Sequence, residues 1–350
     1  MNHVAIDLGG RESQICMRGA DGTIVEEKRH ATRSLEALMK QWPPSRVIVE
    51  TSAEAFHIAE AAKAAGHEVR VVPATLVKTL GVGARGIKTD QRDARALSEV
   101  SCRIDLPSVH IPTPASRELK SICGAREGLV EVRTKLINNV HGWLRAQLWR
   151  IRSGASMSFH ERVRAHAQSL SVELPAHVAR NLEVIELTTA QIRAADAQLR
   201  ELVKTDATCR ALTTVPGVGI VTAARFHAAI DDVSRFGSAH GVQSYFGLTP
   251  GEHSSSERQR RTGITKAGPE APRRMLVQSA WAALRSYPND PMVKWATTIA
   301  ERRGKYIAIV ALARKIAGIM FALWRDGTTY QPERSATRKT TATAGSSASM

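Results

Sequence analysis

Residues 3–10 read His-Val-Ala-Ile-Asp-Leu-Gly-Gly, an apolar run that ends at Asp7 and passes into a glycine turn. A second apolar run, Val-Ile-Val at residues 47–49, ends at Glu50. Short apolar runs that are bounded by Gly or Pro and alternate with helical segments are typical of buried strands. Acids at the carboxyl ends of adjacent strands lie where α/β sheets usually place their functional sites. The two runs therefore predict an α/β domain in which Asp7 and Glu50 belong to one site.

Two further acids follow in residues 88–95, Lys-Thr-Asp-Gln-Arg-Asp-Ala-Arg. Their spacing of three places Asp90 and Asp93 on one face of a helix. Carboxylate oxygens bind Mg²⁺ or Mn²⁺, and two such ions can hold a phosphate for in-line displacement. Each acid alone is explained as well by a turn or a helix cap. The four acids in this order predict a metal-dependent cut of a phosphodiester.

The N-terminal region, residues 1–106, is predicted to be an α/β domain. Three strands precede the first helix, which predicts an antiparallel meander that leads into a parallel portion. This order resembles an RNase H-like (RuvC-like) domain more than a doubly wound dinucleotide fold. The predicted strands are 3–8, 13–18, 23–29, 46–50 and 68–72, and the predicted helices are 34–41, 53–65 and 90–103.

Residues 107–205 are predicted to be a proline-marked linker followed by long helices. Apolar side chains recur every seven residues, as at Ile122 and Leu129, and again at Ile185 and Ile192. Such stripes predict helices that pack against each other or against a partner subunit. The interpretation favours an oligomeric coiled coil, with an intramolecular helical hairpin as the alternative.

Residues 206–327 are predicted to be a third, mainly helical domain, with helices at 220–230, 271–286 and 292–325. A Pro-Gly-Val-Gly turn at 216–219 resembles the hairpin of helix-hairpin-helix modules, which hold a DNA phosphate with backbone N–H groups. Residues 251–268 are interpreted as a polar segment. The tail, 328–350, is rich in Ser, Thr and Ala and is predicted to be disordered.

The chain has a formal net charge of +16 and a pI near 10.2, which favours a polyanionic partner. Residues 251–350 hold 17 Lys or Arg against 7 Asp or Glu, so +10 of this charge lies there. We expect no membrane partner, because the sequence has neither a long basic amphipathic helix nor about 18 uninterrupted apolar residues. The four cysteines show no CxxC pairing, and the N-terminus shows no signal peptide; both features predict a cytoplasmic, nucleoid-associated protein.

The chain resembles transposases of the IS110 family, and within it the IS1111-type branch. The most specific matches are residues 88–94 and the run Ser-Tyr-Phe-Gly-Leu-Thr-Pro-Gly-Glu-His-Ser-Ser at 244–255. The resemblance implies a RuvC-like domain, long helices and a C-terminal transposase domain, hence an α/β plus α fold. It also implies that four acids hold Mg²⁺, with Mn²⁺ as a substitute, and that a serine is the nucleophile. The matching residues are Asp7, Glu50, Asp90, Asp93 and Ser255.

The serine assignment stays open within a triplet. Small residues follow the serine in relatives, whereas Ser256 and Glu257 stand there in this chain. Ser254, Ser255 and Ser256 are therefore all candidates, and Ser255 keeps the family's spacing from Pro250. Basic residues and turn glycines near the two motifs are predicted to contact nucleic acid: Lys88, Arg92, Gly217, Gly219, Arg258, Arg260, Arg261, Lys266, Arg273 and Arg274.

The resemblance implies the partners as well. They are donor and target DNA, a structured guide RNA from the element itself, and further copies of the chain in a dimer or tetramer. The predicted function is therefore that of an RNA-guided transposase that cuts and rejoins DNA through a serine. The alternative is a metal-dependent nuclease of the Holliday-junction type, which would use the acids without covalent serine chemistry. A sugar kinase is less favoured, because no further glycine-rich phosphate motif is present in the sequence.

Overall fold

The computed structural model describes residues 1–79, 89–252 and 261–333. Its internal contacts divide the chain into two compact units, of which the first is Met1–Thr113 and the second begins at Pro114. The predicted division at residues 106, 205 and 327 is a finer one and stays a prediction.

The N-terminal unit contains a five-stranded sheet in the order β3-β2-β1-β4-β5. Strands β1, β2 and β3 pair antiparallel, whereas β4 lies parallel to β1 and β5 parallel to β4. The predicted meander that leads into a parallel portion is confirmed. The strands are β1 Asn2–Asp7, β2 Glu12–Arg18, β3 Ile24–Ala31, β4 Ser45–Glu50 and β5 Glu68–Val72.

Alternate side chains of the central strands belong to two different apolar clusters. Val4 and Ile6 of β1 belong to a cluster with α1 and α2. Ala5 of β1 and Ile48 of β4 point to the other face, where Leu97 of α4 covers them. Both faces of the sheet are therefore buried. The helices of this unit are α1 Leu35–Met39, α2 Ala55–Ala64, α3 Ala74–Thr79 and α4 Asp90–Arg103.

The second unit is mainly helical and contains one short β-hairpin. Its largest apolar cluster draws on the helices after α7, and smaller clusters lie between α5, α6 and α7 and between α5, α7, α8 and α9. The elements are α5 Pro114–Ala146, α6 Phe159–Ser169, α7 Ala176–Thr205, α8 Ala207–Thr213, α9 Ile220–Ile230, α10 Ala239–Tyr245, β6 Pro250–Glu252, β7 Arg261–Ile264, α11 Glu270–Ser286, α12 Pro291–Arg303 and α13 Lys305–Asp326.

The long helices α5 and α7 pack against each other within one chain. Leu144 of α5 and Ile185 of α7 belong to the same buried cluster. Further along, Arg126 Nε donates to Asp196 Oδ1 at 2.5 Å. The apolar stripes therefore form the intramolecular hairpin that was the alternative to a coiled coil, and the coiled coil between subunits stays a prediction.

The predicted single helix over residues 292–325 is wrong. It is divided at Gly304, whose φ of +87° lies in the left-handed region that glycine tolerates and other residues avoid. Helix α12 therefore ends at Arg303, and α13 begins at Lys305. The interpretation of 251–268 as a polar segment also missed two strands, because β6 and β7 lie at its edges and are only three and four residues long.

Helix α13 is, by length and composition alone, long and apolar enough to cross a membrane. Half of the most apolar 18-residue stretch of this helix is buried inside the unit. Leu312, Ile316 and Met320 are fully buried in the same cluster as residues of α11 and α12. The helix is therefore the central core helix of this unit, and its hydropathy has a structural explanation.

Candidate active site and nucleic-acid interface

The first two predicted acids lie at neighbouring positions of the sheet. In the parallel pair of β1 and β4, Ile6 is opposite Val49, so Asp7 and Glu50 are the next residues on the two strands. Strand side chains alternate between the faces, which places Asp7 on the face of Ala5 and Glu50 on that of Ile48. Both acids therefore belong to the face that α4 covers, on strands about 4.8 Å apart.

Helix α4 runs against β1 in a direction that brings Asp93 to the same edge. His3 Nδ1 and Ser101 Oγ are 2.8 Å apart, which fixes the start of β1 beside the end of α4. The helix covers about 12 Å between Ser101 and Asp93, at about 1.5 Å per residue. The strand covers about 13 Å between His3 and Asp7, at about 3.3 Å per residue. Asp93 therefore lies at the level of Asp7.

The two acids of α4 differ in burial. Asp93 is only 4% exposed and lies one helical turn before Leu97, on the side that packs against the sheet. Asp90 lies a turn earlier and is exposed, at the first residue of the helix. Thr89 caps the helix by accepting a hydrogen bond from Arg92 N. The structure thus brings Asp7, Glu50 and Asp93 to one face, with Asp90 at its exposed end.

Polar contacts hold α4 in this position. Arg18 Nε donates to Ser98 Oγ at 3.1 Å, which connects β2 to the helix. Glu27 of β3 accepts two hydrogen bonds from Arg95, at 2.7 and 2.6 Å, and one from Gln91 at 2.9 Å. The Arg95 guanidinium lowers the pKa of Glu27. These contacts fix the rotation of α4, and so the side chain of Asp93 stays on the sheet side.

The donor set fits a hard divalent cation, since it consists of carboxylates alone and one of them is buried. Within the described parts of the chain, however, no three ligand atoms of these acids lie within 4.8 Å of one another. Carboxylates repel each other, and a cation would draw them closer. The four acids therefore lie along one face without forming a closed cage.

The predicted nucleophile lies outside the described residues. Ser254, Ser255 and Ser256 belong to the connection 253–260, together with Arg258 and Arg260, and Lys88 of the acid motif also lies outside. The backbones of Glu252 and Arg261 form an antiparallel pair at the two ends of that connection. The residues on either side of the serine-containing segment are therefore paired with each other.

The base of this hairpin is built from close backbone contacts. Gly247 has φ +65°, and a Cβ there would lie 2.2 Å from Ala267 O. Lys266 N donates to Gly247 O at 3.1 Å. Arg273 Nη1 donates to both Phe246 O and Ala267 O at 3.2 Å. The Gly-Leu-Thr-Pro motif therefore needs its glycine for packing, and Arg273 connects the two sides of the hairpin base.

The other predicted nucleic-acid contacts have different surroundings. Arg92 and Lys266 are exposed. Arg274 forms ion pairs with Glu127, Glu131 and Glu270, so its charge is already balanced within the unit. In the Pro-Gly-Val-Gly turn, a Cβ on Gly217 would lie 2.2 Å from Ser279 O of α11, whereas the space at Gly219 is open. Packing against α11 is sufficient to explain Gly217.

A groove of about 1150 Å³ lies beside the hairpin and was not predicted from the sequence. It contains four cationic side chains, and no Asp or Glu is among the described residues that line it. The Tyr306 side chain on its wall is 81% exposed. The basic residues on both sides of Gly304 could have indicated this groove in the sequence. The prediction of one continuous helix over 292–325 did not take them into account. The cations are Lys266, Arg303, Arg314 and Lys315.

Two family models of insertion-sequence transposases match this chain. The model of the IS110 DEDD transposases matches residues 4–147, and the model described as "Transposase IS116/IS110/IS902 family" matches residues 209–293. Together they cover more than half of the chain. The first spans the N-terminal unit with the acids and continues through α5, and the second lies within the unit with the hairpin.

Similar proteins match along nearly the whole length. A Pseudomonas aeruginosa protein named as a probable family 20 transposase is 29% identical over 95% of this chain and 99% of its own length. The transposase for insertion sequence element IS1111A of Coxiella burnetii is 27% identical, over 94% and 91% of the two chains. The transposase for IS1328 of Yersinia enterocolitica is 26% identical, over 93% and 98%. The chain therefore belongs to the IS116/IS110/IS902 family of DNA transposases.

Proposed function

We propose that this insertion-sequence transposase cuts DNA at a magnesium site formed by Asp7, Glu50 and Asp93, which Asp90 completes from the first turn of α4. The observation that carries the proposal is the shared face of β1, β4 and α4, on which three of the four acids lie at one level. The strand order β3-β2-β1-β4-β5 supports an RNase H-like nuclease for the unit as a whole.

The proposed metal ligands come from different elements of the N-terminal unit. Asp7 and Glu50 supply ligands from strand ends, where the sheet fixes the backbone, and Asp93 supplies one from a buried helix face. Bound Mg²⁺ would lower the pKa of an attacking hydroxyl and stabilise the charge that develops on the phosphate. Mn²⁺ prefers the same ligands and would substitute for it.

The nucleophile is the serine triplet in the 253–260 connection, with Ser255 as the first choice. In the proposed step the Ser255 hydroxyl gives its proton to water, and its oxygen bonds to phosphorus. The P–O bond of the DNA strand breaks, and the leaving oxygen takes a proton from water, so the strand end leaves as a free hydroxyl. Attack of a strand hydroxyl on the phosphoserine reverses the step, so strands are rejoined without ATP. The pairing of Glu252 with Arg261 supports this proposal, because it holds the two ends of the serine-containing segment together.

Mapping the covalent protein–DNA adduct tests the serine chemistry. We expect the adduct on Ser255, lost in Ser255→Ala and kept in Ser254→Ala and Ser256→Ala. An adduct on another residue would contradict the assignment. Cleavage that survives in all three variants would favour a Holliday-junction-type nuclease. This is the second candidate, because all four acids lie in the N-terminal unit and such a nuclease would not need the serines.

The cationic groove is proposed to hold a nucleic-acid strand next to the serine hairpin. Its four cations can neutralise phosphates, and Tyr306 offers an exposed ring on which a base can stack. Lys315 Nζ lies 4.5 Å from the Trp295 ring, and burial lowers the pKa of this lysine. The exposed Arg303 is therefore more accessible to a phosphate than the partly buried Lys315.

A structured guide RNA from the element and assembly into a dimer or tetramer complete the proposal. The guide RNA rests on the family and on the net charge of +16, and the assembly rests on the family and on the apolar stripes of the long helices. The proposed place of action is cytoplasmic, nucleoid DNA. RNA dependence is tested by measuring recombination after exhaustive RNase treatment and repurification. We expect activity to disappear and to return when element RNA is added. Full activity of the treated protein would exclude a guide.

A further inference from the structure

A second group of potential metal ligands lies in the C-terminal unit, away from the acids of the sheet. Asp206, Cys209 and His227 each offer one ligand atom, and these atoms all lie within 4.8 Å of one another. Among the described residues this is the one such group of three. Asp206 and Cys209 belong to the start of α8, and His227 to the last turn of α9. We propose that these three residues bind a zinc-class divalent cation that ties α8 to α9.

The local geometry is not explained by hydrogen bonds alone. Asp206 Oδ1 already accepts the backbone N–H of Cys209 at 2.7 Å, as a helix cap does. Its other oxygen lies 3.7 Å from His227 Nε2, which is too far for a hydrogen bond. His227 Nδ1 is buried and has no hydrogen-bond partner among the described residues. The imidazole therefore lies beside a carboxylate without a hydrogen bond from either nitrogen.

The spacing suits ligands of one small ion. Metal distances of about 2.0 Å for oxygen and nitrogen and about 2.3 Å for sulfur place the ligand atoms of a tetrahedral zinc about 3.3–3.6 Å apart. The 3.7 Å between Asp206 and His227 is close to this range, and no two ligand atoms of the group are more than 4.8 Å apart. Rotation of partly exposed side chains can close such a gap.

The donor set selects the class of ion. Thiolate and imidazole are ligands of zinc and related late transition metals, whereas Mg²⁺ prefers oxygen ligands. Cys209 is 2% exposed, and its burial, followed by the charge of Asp206, raises the pKa of its thiol. A zinc-class cation binds cysteine as the thiolate, so its binding would release the thiol proton.

Three protein ligands leave a fourth position, which the partial exposure of Asp206 and His227 opens to water. The His227 ring is held in place by Trp324 of α13, with ring centroids 4.6 Å apart. A cation here would therefore connect the corner between α7 and α8 to α9 and, through the ring contact, to the core helix α13.

Cobalt titration of the full-length, EDTA-treated protein tests the proposal, because Co²⁺ bound to a thiolate gives a charge-transfer band in the near ultraviolet. We expect one equivalent of Co²⁺ per chain to produce the band, Zn²⁺ to displace it, and excess Mg²⁺ to leave it unchanged. Cobalt at the acids of the N-terminal unit gives no such band, since those ligands are oxygen. The result is therefore independent of the proposed nuclease site.

The variants make the test specific. Cys209→Ser should abolish the band, and Asp206→Asn and His227→Gln should weaken Co²⁺ binding at least tenfold. Asn keeps the helix cap, so Asp206→Asn carries the test should Cys209→Ser fail to fold. Cys102→Ala, which removes a thiol from the other unit, should bind as the unchanged protein does. Absence of the band in the unchanged protein, its persistence in Cys209→Ser, or its loss in Cys102→Ala would overturn the proposal.

Discussion

The two units present their proposed catalytic groups in opposite ways. In the N-terminal unit, Asp7 and Glu50 lie at the ends of paired strands, and hydrogen bonds fix α4 with Asp93 against them. In the C-terminal unit the serines lie in a connection between two short strands, and the fixed part is the base, at Gly247 and Arg273. The proposed metal ligands thus lie on strands and a packed helix of one unit, and the proposed nucleophile lies between two paired strands of the other.

This difference suggests a division of tasks. Metal ligands must keep their positions to within a fraction of an ångström, which strands and packed helices provide. A nucleophile that carries a DNA strand must attack, hold and release it, and the described base of the hairpin fixes the two ends of the segment that carries the serines. Substitutions at the sheet should therefore act on the cut itself, and substitutions at the hairpin base should act on presentation of the serine.

The largest effect is expected at the sheet. Asp93→Asn keeps the size of the side chain but removes a proposed ligand, and cleavage in Mg²⁺ should fall about a thousandfold, equivalent to about 4 kcal/mol of transition-state stabilisation. Glu36→Gln, at an exposed acid of α1 that pairs with Lys40, is the control and should cut normally. Cleavage at the normal rate by Asp93→Asn with an unchanged melting temperature would show that this side chain holds no metal.

A smaller effect is expected at the hairpin base. Gly247→Ala forces φ +65° on a residue with a Cβ and places that Cβ against Ala267 O, so the C-terminal unit should lose about 1–3 kcal/mol of stability. The serine adduct should decrease with it. Gly263→Ala on β7 is the matched control, because a Cβ there meets nothing within 4 Å. Equal melting temperatures of the two variants in calorimetry would refute the role assigned to Gly247.

A substitution in the groove should have a smaller effect than a substitution at the sheet or at the hairpin base. Tyr306→Ala removes a proposed stacking surface, and affinity for single-stranded DNA should fall by about 1–3 kcal/mol, roughly 5- to 150-fold. Tyr287, which is 49% exposed in the same unit and does not line the groove, provides the control variant Tyr287→Ala. Fluorescence anisotropy at fixed salt measures both. Equal losses in the two variants would mean that the groove has no special role.

The smallest effect is expected at the contact that orients α4. Arg95 lowers the pKa of Glu27 in the folded state, so the pair stabilises the fold above the unfolded value of 4.5. This contribution is lost as the pH falls through the lowered folded pKa. Glu27→Gln should therefore be less stable than the unchanged protein at pH 7, and the difference should disappear in acid. Glu26→Gln, one residue away, is the control in pH-dependent thermal melts. A difference that does not decrease as the pH is lowered would contradict the assignment.

The sequence predicted the sheet well, because strand ends and helix spacing are local signals. The runs before Asp7 and Glu50 and the spacing of Asp90 and Asp93 are visible in the residues themselves. The break at Gly304 was missed, since apolar periodicity continues on both sides and only the positive φ shows where the helix ends. The groove and the Asp206–Cys209–His227 group were missed because both join residues that are distant in the sequence.

Iron-mediated cleavage of the protein backbone tests the central claim most directly. Fe²⁺ replaces Mg²⁺ at carboxylate sites and, with peroxide and ascorbate, cuts the chain beside the bound ion. The account predicts cuts near residues 7, 50 and 90–93, which compete with Mg²⁺ and disappear together in Asp7→Asn or Asp93→Asn. Cuts at only one of these segments, or cuts that remain in both variants, would contradict a single metal site on the shared face of β1, β4 and α4.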